Sequence, residues 1–275
     1  MGWSAALELG FATEGGATRL ARRAHRGPFV VQRPFFPEGR EVCHVYLLHP
    51  PGGLVGGDEL RLDLQVGDGA HTLVTTPAAG KAYRTLGPAA RQTQALTVRP
   101  GGALEWLPQE TILYDGCNLE LDTRVDLGTG ARFFGAETIV FGLPARAEPF
   151  ARGSCRQAFE LRRDGVPLLV ERGRFDAGAA MQQACWGLAG ATVLTLIVAA
   201  PAPERPAVEA VRALAAGLGP DEQAGATVLG DGDVLVIRHL AGRAERARAF
   251  VQAAWSLVRP ALFGRAAVAP RIWAT

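Results

Sequence analysis

The chain has almost no excess of charge. Its 29 basic and 27 acidic residues leave a net charge of +2 over 275 residues, which gives no electrostatic reason to expect nucleic acid or an anionic membrane as partner. Cys43, Cys117, Cys155 and Cys185 form no C-x-x-C pair, so the common zinc and dithiol redox motifs are excluded. A long hydrophobic run is also missing. The best candidate, Ala189 to Ala202, is broken by glycine and threonine and is too short to cross a bilayer. Residues Met1 to Glu8 lack the basic leader and apolar stretch of a signal peptide, and Ala6 stands where myristoylation requires Ser or Thr. The expectation is a soluble, cytoplasmic protein.

A phosphate loop is absent too, although one stretch is glycine-rich. Pro50 to Asp58 contains two prolines and two glycine pairs but ends in Asp rather than Lys followed by Ser or Thr, and it leads into a strand rather than a helix. What it offers is a tightly specified turn that sets the Asp58 carboxylate where the alternating strand Glu59 to Val66 begins.

Most of the chain has a period of two. Leu60, Leu62, Leu64 and Val66 alternate with polar residues, as do Leu119, Leu121, Thr123 and Val125, and Ala95 to Val98 and Val166 to Val170 read as further short strands. Gly67-Asp68-Gly69, Pro100-Gly101-Gly102, Gly128-Thr129-Gly130 and Asp164-Gly165 punctuate them as turns. Many short strands with tight turns imply a sandwich, a barrel or a β-helix-like stack. Helical spacing arrives only late. Pro206 opens a segment with Val208, Val211, Leu214 and Leu218 in phase, and Arg243 to Val258 carries Ala247, Phe250, Val251, Ala254, Trp255 and Val258 on one stripe, with Pro260 expected to end it. Asp233 to Arg238 reads as a strand between the two helices. No linker divides the chain, so residues 1–275 are expected to form one domain.

Candidate chemistry is sparse. Lys81 and Arg84 follow the constrained turn Thr75 to Gly80, where solvated loop cations are the ordinary outcome. Asp58, Glu110, Asp115, Glu137 and Glu171 lie near strand ends, and a pair of them could serve as general acid and base on a sugar, although no spacing fixes any two. Among the histidines, only Cys43-His44 with His49 forms a local cluster. Strand neighbours 43 and 44 point to opposite faces, so no closed metal site is expected there.

Several phrases together resemble the urease accessory protein family called UreD, or UreH in some organisms. They are Pro51-Gly52-Gly53 through Gly57-Asp58, Thr75 to Ala79 with Lys81, Tyr83 and Arg84, Leu104-Glu105-Trp106-Leu107-Pro108-Gln109-Glu110, Gly130-Ala131-Arg132, and Arg162 to Gly165 through Glu171-Arg172. The ending, Arg259-Pro260 through Gly264-Arg265 and Pro270 to Thr275, completes the set in family order. The chain departs from the family pattern at Ala136, Leu143 and Ala147, while Glu137 and Glu148 remain.

The resemblance implies a non-enzymatic scaffold. Family members bind the accessory protein UreF, which carries the GTPase UreG, and dock on urease so that nickel reaches the buried active site. The family fold is a β-helix-like stack of strands with two helices, and a water-filled tunnel is held to carry the ion. No tightly bound cofactor is implied, only nickel in transit. By similarity, Asp58, Glu137 and Glu171 are candidates to line the nickel path, with Lys81 and Arg84 as nearby charges. Arg271, Ile272 and Trp273 are candidates to bind UreF. The alternative from the residues alone is a β-rich carbohydrate-active protein with paired carboxylates.

Overall fold

The computed structural model describes residues 2–274 and shows a mainly β protein in which the chain winds through about four coils of a solenoid. Two strands precede the coils, β1 (Ser4–Glu14) and β2 (Ala17–Arg26), followed by the short β3 (Val30–Val31). The first coil runs from β4 (Val42–Leu48) past the bridge at Leu54 to β5 (Glu59–Val66). The second comprises β6 (His71–Thr75), β7 (Gly80–Ala82) and β8 (Ala90–Val98), and the third β9 (Ala103–Leu107), β10 (Thr111–Leu113) and β11 (Cys117–Leu127). The fourth contains β12 (Arg132–Phe141) and β13 (Gly153–Arg163).

Each coil advances by one parallel strand. On one face β1, β5, β8, β11 and β13 pair in parallel, and on another β4, β6, β9 and β12 do. The turn residues make the repeat possible. Gly69, Gly101 and Gly130 all adopt positive φ near 65°, and their turns stack, with the Gly69 N–H donating to Pro100 O and the Gly101 N–H to Thr129 O. Open parallel edges invite pairing with other chains. Here β2 closes one edge antiparallel to β1, and β14 (Val166–Asp176) closes the other antiparallel to β13, through a turn in which Asp164 and Gly165 both have positive φ.

The fourth coil differs. Where the third coil breaks between β9 and β10 at Pro108-Gln109-Glu110, β12 runs on as one strand: Arg132 to Gly135 pair with β9 and Ile139 to Phe141 with β10. Ala136, Glu137 and Thr138 face the break and have no parallel partners on that side.

After the coils the second sheet continues antiparallel. β15 (Val193–Ala200) pairs with β12, α1 (Arg205–Ala216) follows, and β16 (Glu222–Leu229) and β17 (Val234–Ala241) complete the sheet before α2 (Ala244–Phe263). The helices cover its outer face around Phe134, Ile197, Ile237, Phe250, Trp255 and Val258. Pro260 does not end α2 as expected from the sequence. It removes only the bond to the carbonyl of exposed Ser256, while one more turn buries Leu262 and Phe263 before Gly264 closes the helix in the left-handed conformation.

A buried polar cluster fastens α2 to the solenoid. On β9, Glu105 Oε2 accepts from Trp255 Nε1 (2.6 Å) and Arg259 Nε (2.8 Å), and Oε1 accepts from Arg259 Nη2 (3.0 Å) and His71 Nε2 (2.8 Å). Arg259 also reaches Glu38 Oε2 through Nη1 (2.7 Å) and Oε1 through Nη2 (2.8 Å), and it donates to the Ala266 carbonyl. His44 donates to Glu38 Oε1 at 2.7 Å. Burial alone would raise both carboxyls. The His44 and Arg259 bonds nevertheless bring Glu38 down to about 2, and the His71 and Arg259 bonds lower Glu105.

Removing one partner from such a cluster leaves an uncompensated buried charge. Arg259→Met is therefore expected to cost about 3–5 kcal/mol in a urea titration. Glu38, held below its ordinary value of 4.5, contributes stability that is fully present above that value and is lost as pH falls toward about 2. An acid titration of the parent protein should show this loss, and Glu38→Gln should show a smaller one, the part due to Glu105 remaining.

Candidate functional site

Alternation along the parallel sheet decides what faces the inside of the solenoid. One inward row, Leu9, Leu64, Leu96, Val125 and Leu161, is apolar throughout. The next two rows are not. Leu7 and Leu62 are followed by Gln94 and Thr123 before Phe159, and Leu60 by Gln92, Leu121 and Gln157. Neutral polar side chains thus occupy core positions in the second, third and fourth coils.

Cavities open where these residues are. The larger, about 220 Å³, spans the first three coils, with Phe29, Leu47 and His49 at one end and Trp106, Gln109 and Thr111 at the other. A smaller one of about 40 Å³ continues into the fourth coil, lined by Thr123, Glu137 and Gln157. They share Gln92, Gln94, Pro108, Gln109 and Thr111 as walls. A third, about 30 Å³, shares Pro108, Gln109 and Thr138 with the second and lies against Arg248 and Gln252 of α2 and against Trp273. All three meet at the corner that β12 leaves unpaired.

Glu137 stands at that corner. Its Oε1 is 2.5 Å from Thr123 Oγ1, which also lies 2.6 Å from Gln94 Oε1, and Oε2 accepts from Gln157 Nε2 at 3.1 Å. Burial pushes its pKa up against these hydrogen bonds. Trp106 links the two larger cavities: it lines the first, and its indole N–H approaches Glu137 without completing a hydrogen bond. Glu137 is the one acidic side chain in the lining of its cavity.

The other candidates lie elsewhere. Asp58 is buried, but both its oxygens are occupied: Oδ1 accepts from the Trp3 N–H (3.1 Å) and Oδ2 from the Val55 N–H (2.9 Å), so it ties the start of the chain to the glycine-rich turn. Glu171, on β14, forms a two-pronged pair with Arg238 of β17 (2.6 and 3.2 Å), a surface clasp between the two sheets. Lys81, half-buried on β7 beside the core residue Ala82, belongs to the larger cavity's wall. Arg84 is exposed and its stem lies over Gly116. In the tail, Trp273 Nε1 donates to Thr75 Oγ1 (2.8 Å) and its ring meets Trp255 edge-on, while Arg271 is exposed. Ile272 lies between them in the same short helical turn.

Among the described residues no group of three or more His, Cys, Asp and Glu side chains could hold a metal. The Cys43, His44 and His49 neighbourhood is divided: His44 is engaged with Glu38, burial pushes the Cys43 thiol up to about 12, and His49 faces the cavity. No helix among the described residues is long and apolar enough to cross a membrane.

Comparison with known proteins assigns the family. A family model described as "UreD urease accessory protein" matches residues 4–274. The chain belongs to the UreD family of urease accessory proteins. It is 46% identical to the urease accessory protein UreD of Azoarcus sp. (strain BH72) over 275 residues, covering 100% of this chain and 95% of the relative. Identity to the proteins of that name is 43% in Alkalilimnicola ehrlichii, covering 100% of this chain and 92% of the relative, and 44% in Pseudomonas aeruginosa (strain PAO1), covering 99% and 95%. UreD proteins are maturation factors rather than enzymes, so membership supports a role in urease maturation and removes the carbohydrate-active alternative.

Gln92, Gln94, Thr123 and Gln157, the neutral residues of this UreD protein's interior, are not among the sequence candidates. Their signal is present in β8, where Ala90, Leu96 and Val98 set the inward phase and Gln92 and Gln94 fall in it. Asp58 and Glu171 are expected to behave differently on replacement. Asp58→Ala leaves two backbone N–H groups without their acceptor and should cost about 1–3 kcal/mol in a urea titration. Glu171→Ala breaks a solvent-exposed pair and should cost no more than about 1 kcal/mol.

Proposed function

We propose that this chain is a non-enzymatic scaffold of urease maturation that binds UreF and, through it, the GTPase UreG, docks on apo-urease, and lets nickel pass along the inside of its solenoid. The observation that carries the reading is the shared wall of the interior cavities, which sets Gln92, Gln94 and Gln109 in a largely apolar lining and meets the α2 side at Pro108 and Gln109. Family membership supplies urease as the destination.

The chemistry suits transit. Divalent nickel is held tightly where several imidazoles or thiolates converge, and a trapped ion cannot be delivered. Amide and hydroxyl oxygens of Gln92, Gln94, Thr123 and Gln157 offer a hydrated dication weak, exchangeable contacts, and Glu137 supplies one charge to draw it onward. Asp58 and Glu171 are assigned to holding the scaffold, Arg84 to its outer surface, and Lys81 to the wall of the larger cavity. In the tail, Trp273 is packed inward, which leaves Arg271 as the side chain offered to UreF. The place of action is the cytoplasm, with no nucleic acid or membrane as partner and nickel as cargo rather than cofactor.

The test is nickel-dependent activation of apo-urease with UreF and UreG present. Gln94→Leu and Glu137→Ala should each slow activation at least about tenfold while co-purifying with UreF as the parent does. Arg271→Glu should weaken co-purification instead. Parent-like activation by both interior variants would remove the internal route, and a folded parent protein that fails to bind UreF would remove the scaffold reading.

A further inference from the structure

Of the strands at the ends of the two large sheets, three are blunted as edges: β3 is two residues long, β2 carries Arg19, Arg22, Arg23 and Arg26, and β14 carries Pro167, Glu171, Arg172 and Arg174. The remaining edge strand, β16, has neither a charged residue nor a proline from Gln223 to Leu229. Register shows which of its backbone groups are free. The Thr192 N–H donates to the Ala241 carbonyl, so Ala241 turns its backbone groups toward β15, and by alternation Leu240 and Arg238 turn theirs toward Gln223 and Gly225. Ala224, Ala226 and Val228 therefore point their N–H and C=O groups away from the sheet. Arg212 of α1 agrees, because its Nε reaches the Ala226 carbonyl at 3.4 Å. The Glu222 N–H is taken by the Gly219 carbonyl, but the N–H groups of Ala224, Ala226 and Val228 have no partner among the described residues.

We infer that the β16 edge is a docking site for an extended segment of another protein, which adds to the sheet as one further strand. A second copy of this chain does not fit there. In a closed two-fold pair the edges run antiparallel and both copies of α1 fall on the same face. Because α1 packs over β16, the two helices would lie near the strand spacing of about 5 Å, whereas packed helices need about 8–10 Å. A lone extended segment brings no such helix. The flanks state its chemistry. On the α1 side Arg205, Glu209 and Arg212 form a linked stripe with an excess of positive charge, and an incoming N–H that takes over the Ala226 carbonyl releases Arg212 for a carboxylate. On the other side Gly225 leaves open space between exposed Gln223 and Thr227, which an aromatic or β-branched side chain covers. The fitting segment alternates, with an acid toward α1 and a bulky apolar residue toward Gly225.

The experiment uses the full chain and, as probe, a blocked peptide of about seven residues that alternates threonine and valine, with a central tyrosine among the valines and one glutamate among the threonines. Amide hydrogen exchange is read residue by residue. Without peptide, the Ala224, Ala226 and Val228 amides should exchange faster than those of Gly225 and Thr227, which face β17. With peptide, the three should slow at least about tenfold. Lysine in place of the glutamate should weaken binding at least about threefold, and Arg212→Glu, folded by circular dichroism, should reverse that preference. Unchanged exchange at Ala224, Ala226 and Val228 in the folded parent at saturating peptide would overturn the docking site. Protection of the same amides without peptide, in a chain that sediments as a dimer, would overturn it too, by giving the edge to a second copy.

Discussion

Glu105 is an acid in the middle of a strand whose neighbours Leu104, Trp106 and Leu107 are all buried, and it is itself fully removed from water. A carboxylate there is tolerable only if its oxygens are matched, and the matching groups come from far along the chain: His71 from the preceding coil, Trp255 and Arg259 from the last helix. This requirement fixes the rotation and height of α2 on the sheet. Apolar contacts alone would tolerate a shift, because ridges and grooves repeat along a helix. Arg259 extends the constraint to Glu38, which reaches back to His44 on β4. One carboxylate therefore sets where the helix sits, and with it where Arg248 closes against Glu110 beside the break in the third coil.

That break is the second constraint. A solenoid whose corners match from coil to coil packs its interior with stacked like residues, as the row from Leu9 to Leu161 does. When β12 runs straight past a corner that β9 and β10 turn, backbone pairing lapses at Ala136 to Thr138 and the side chains beneath lose their stacking partners. Polar residues at Gln94, Thr123 and Gln157 fill the inward positions nearby; Thr123 and Gln157 bond to Glu137, and Gln94 bonds to Thr123.

The strands and helices were readable from the sequence because each signal is local. Alternation from Leu60 to Val66, the Asp164-Gly165 turn and the apolar stripe from Ala247 to Val258 all depend on neighbours a few residues away. The coiling itself required the family resemblance, since a sandwich or barrel has the same local pattern. Among site residues, Glu137 is in the interior, whereas Asp58, just before β5, and Glu171, in the middle of β14 rather than near its end, have their oxygens already committed to the Trp3 and Val55 N–H groups and to Arg238. Sequence shows that a carboxylate is present but not which donors the fold brings to it, and those donors are 55 and 67 residues away for Trp3 and Arg238.

The distribution of charge follows from the same geometry. On the outer face of the parallel sheet, register aligns Glu59, Arg91, Glu120, Arg156 and Arg174 in a row, and Arg91 and Arg156 both reach Glu120. Most arginines and acids of these strands neutralise one another there, screened by water. Inside, the same strands present amides, a hydroxyl and apolar side chains. Glu137 is the carboxylate in the lining of the fourth-coil cavity, and Lys81 belongs to the wall of the larger one. Burial works against the charged form of that carboxylate, and the hydrogen bonds from Thr123 and Gln157, in place of the water that serves the surface acids, work for it.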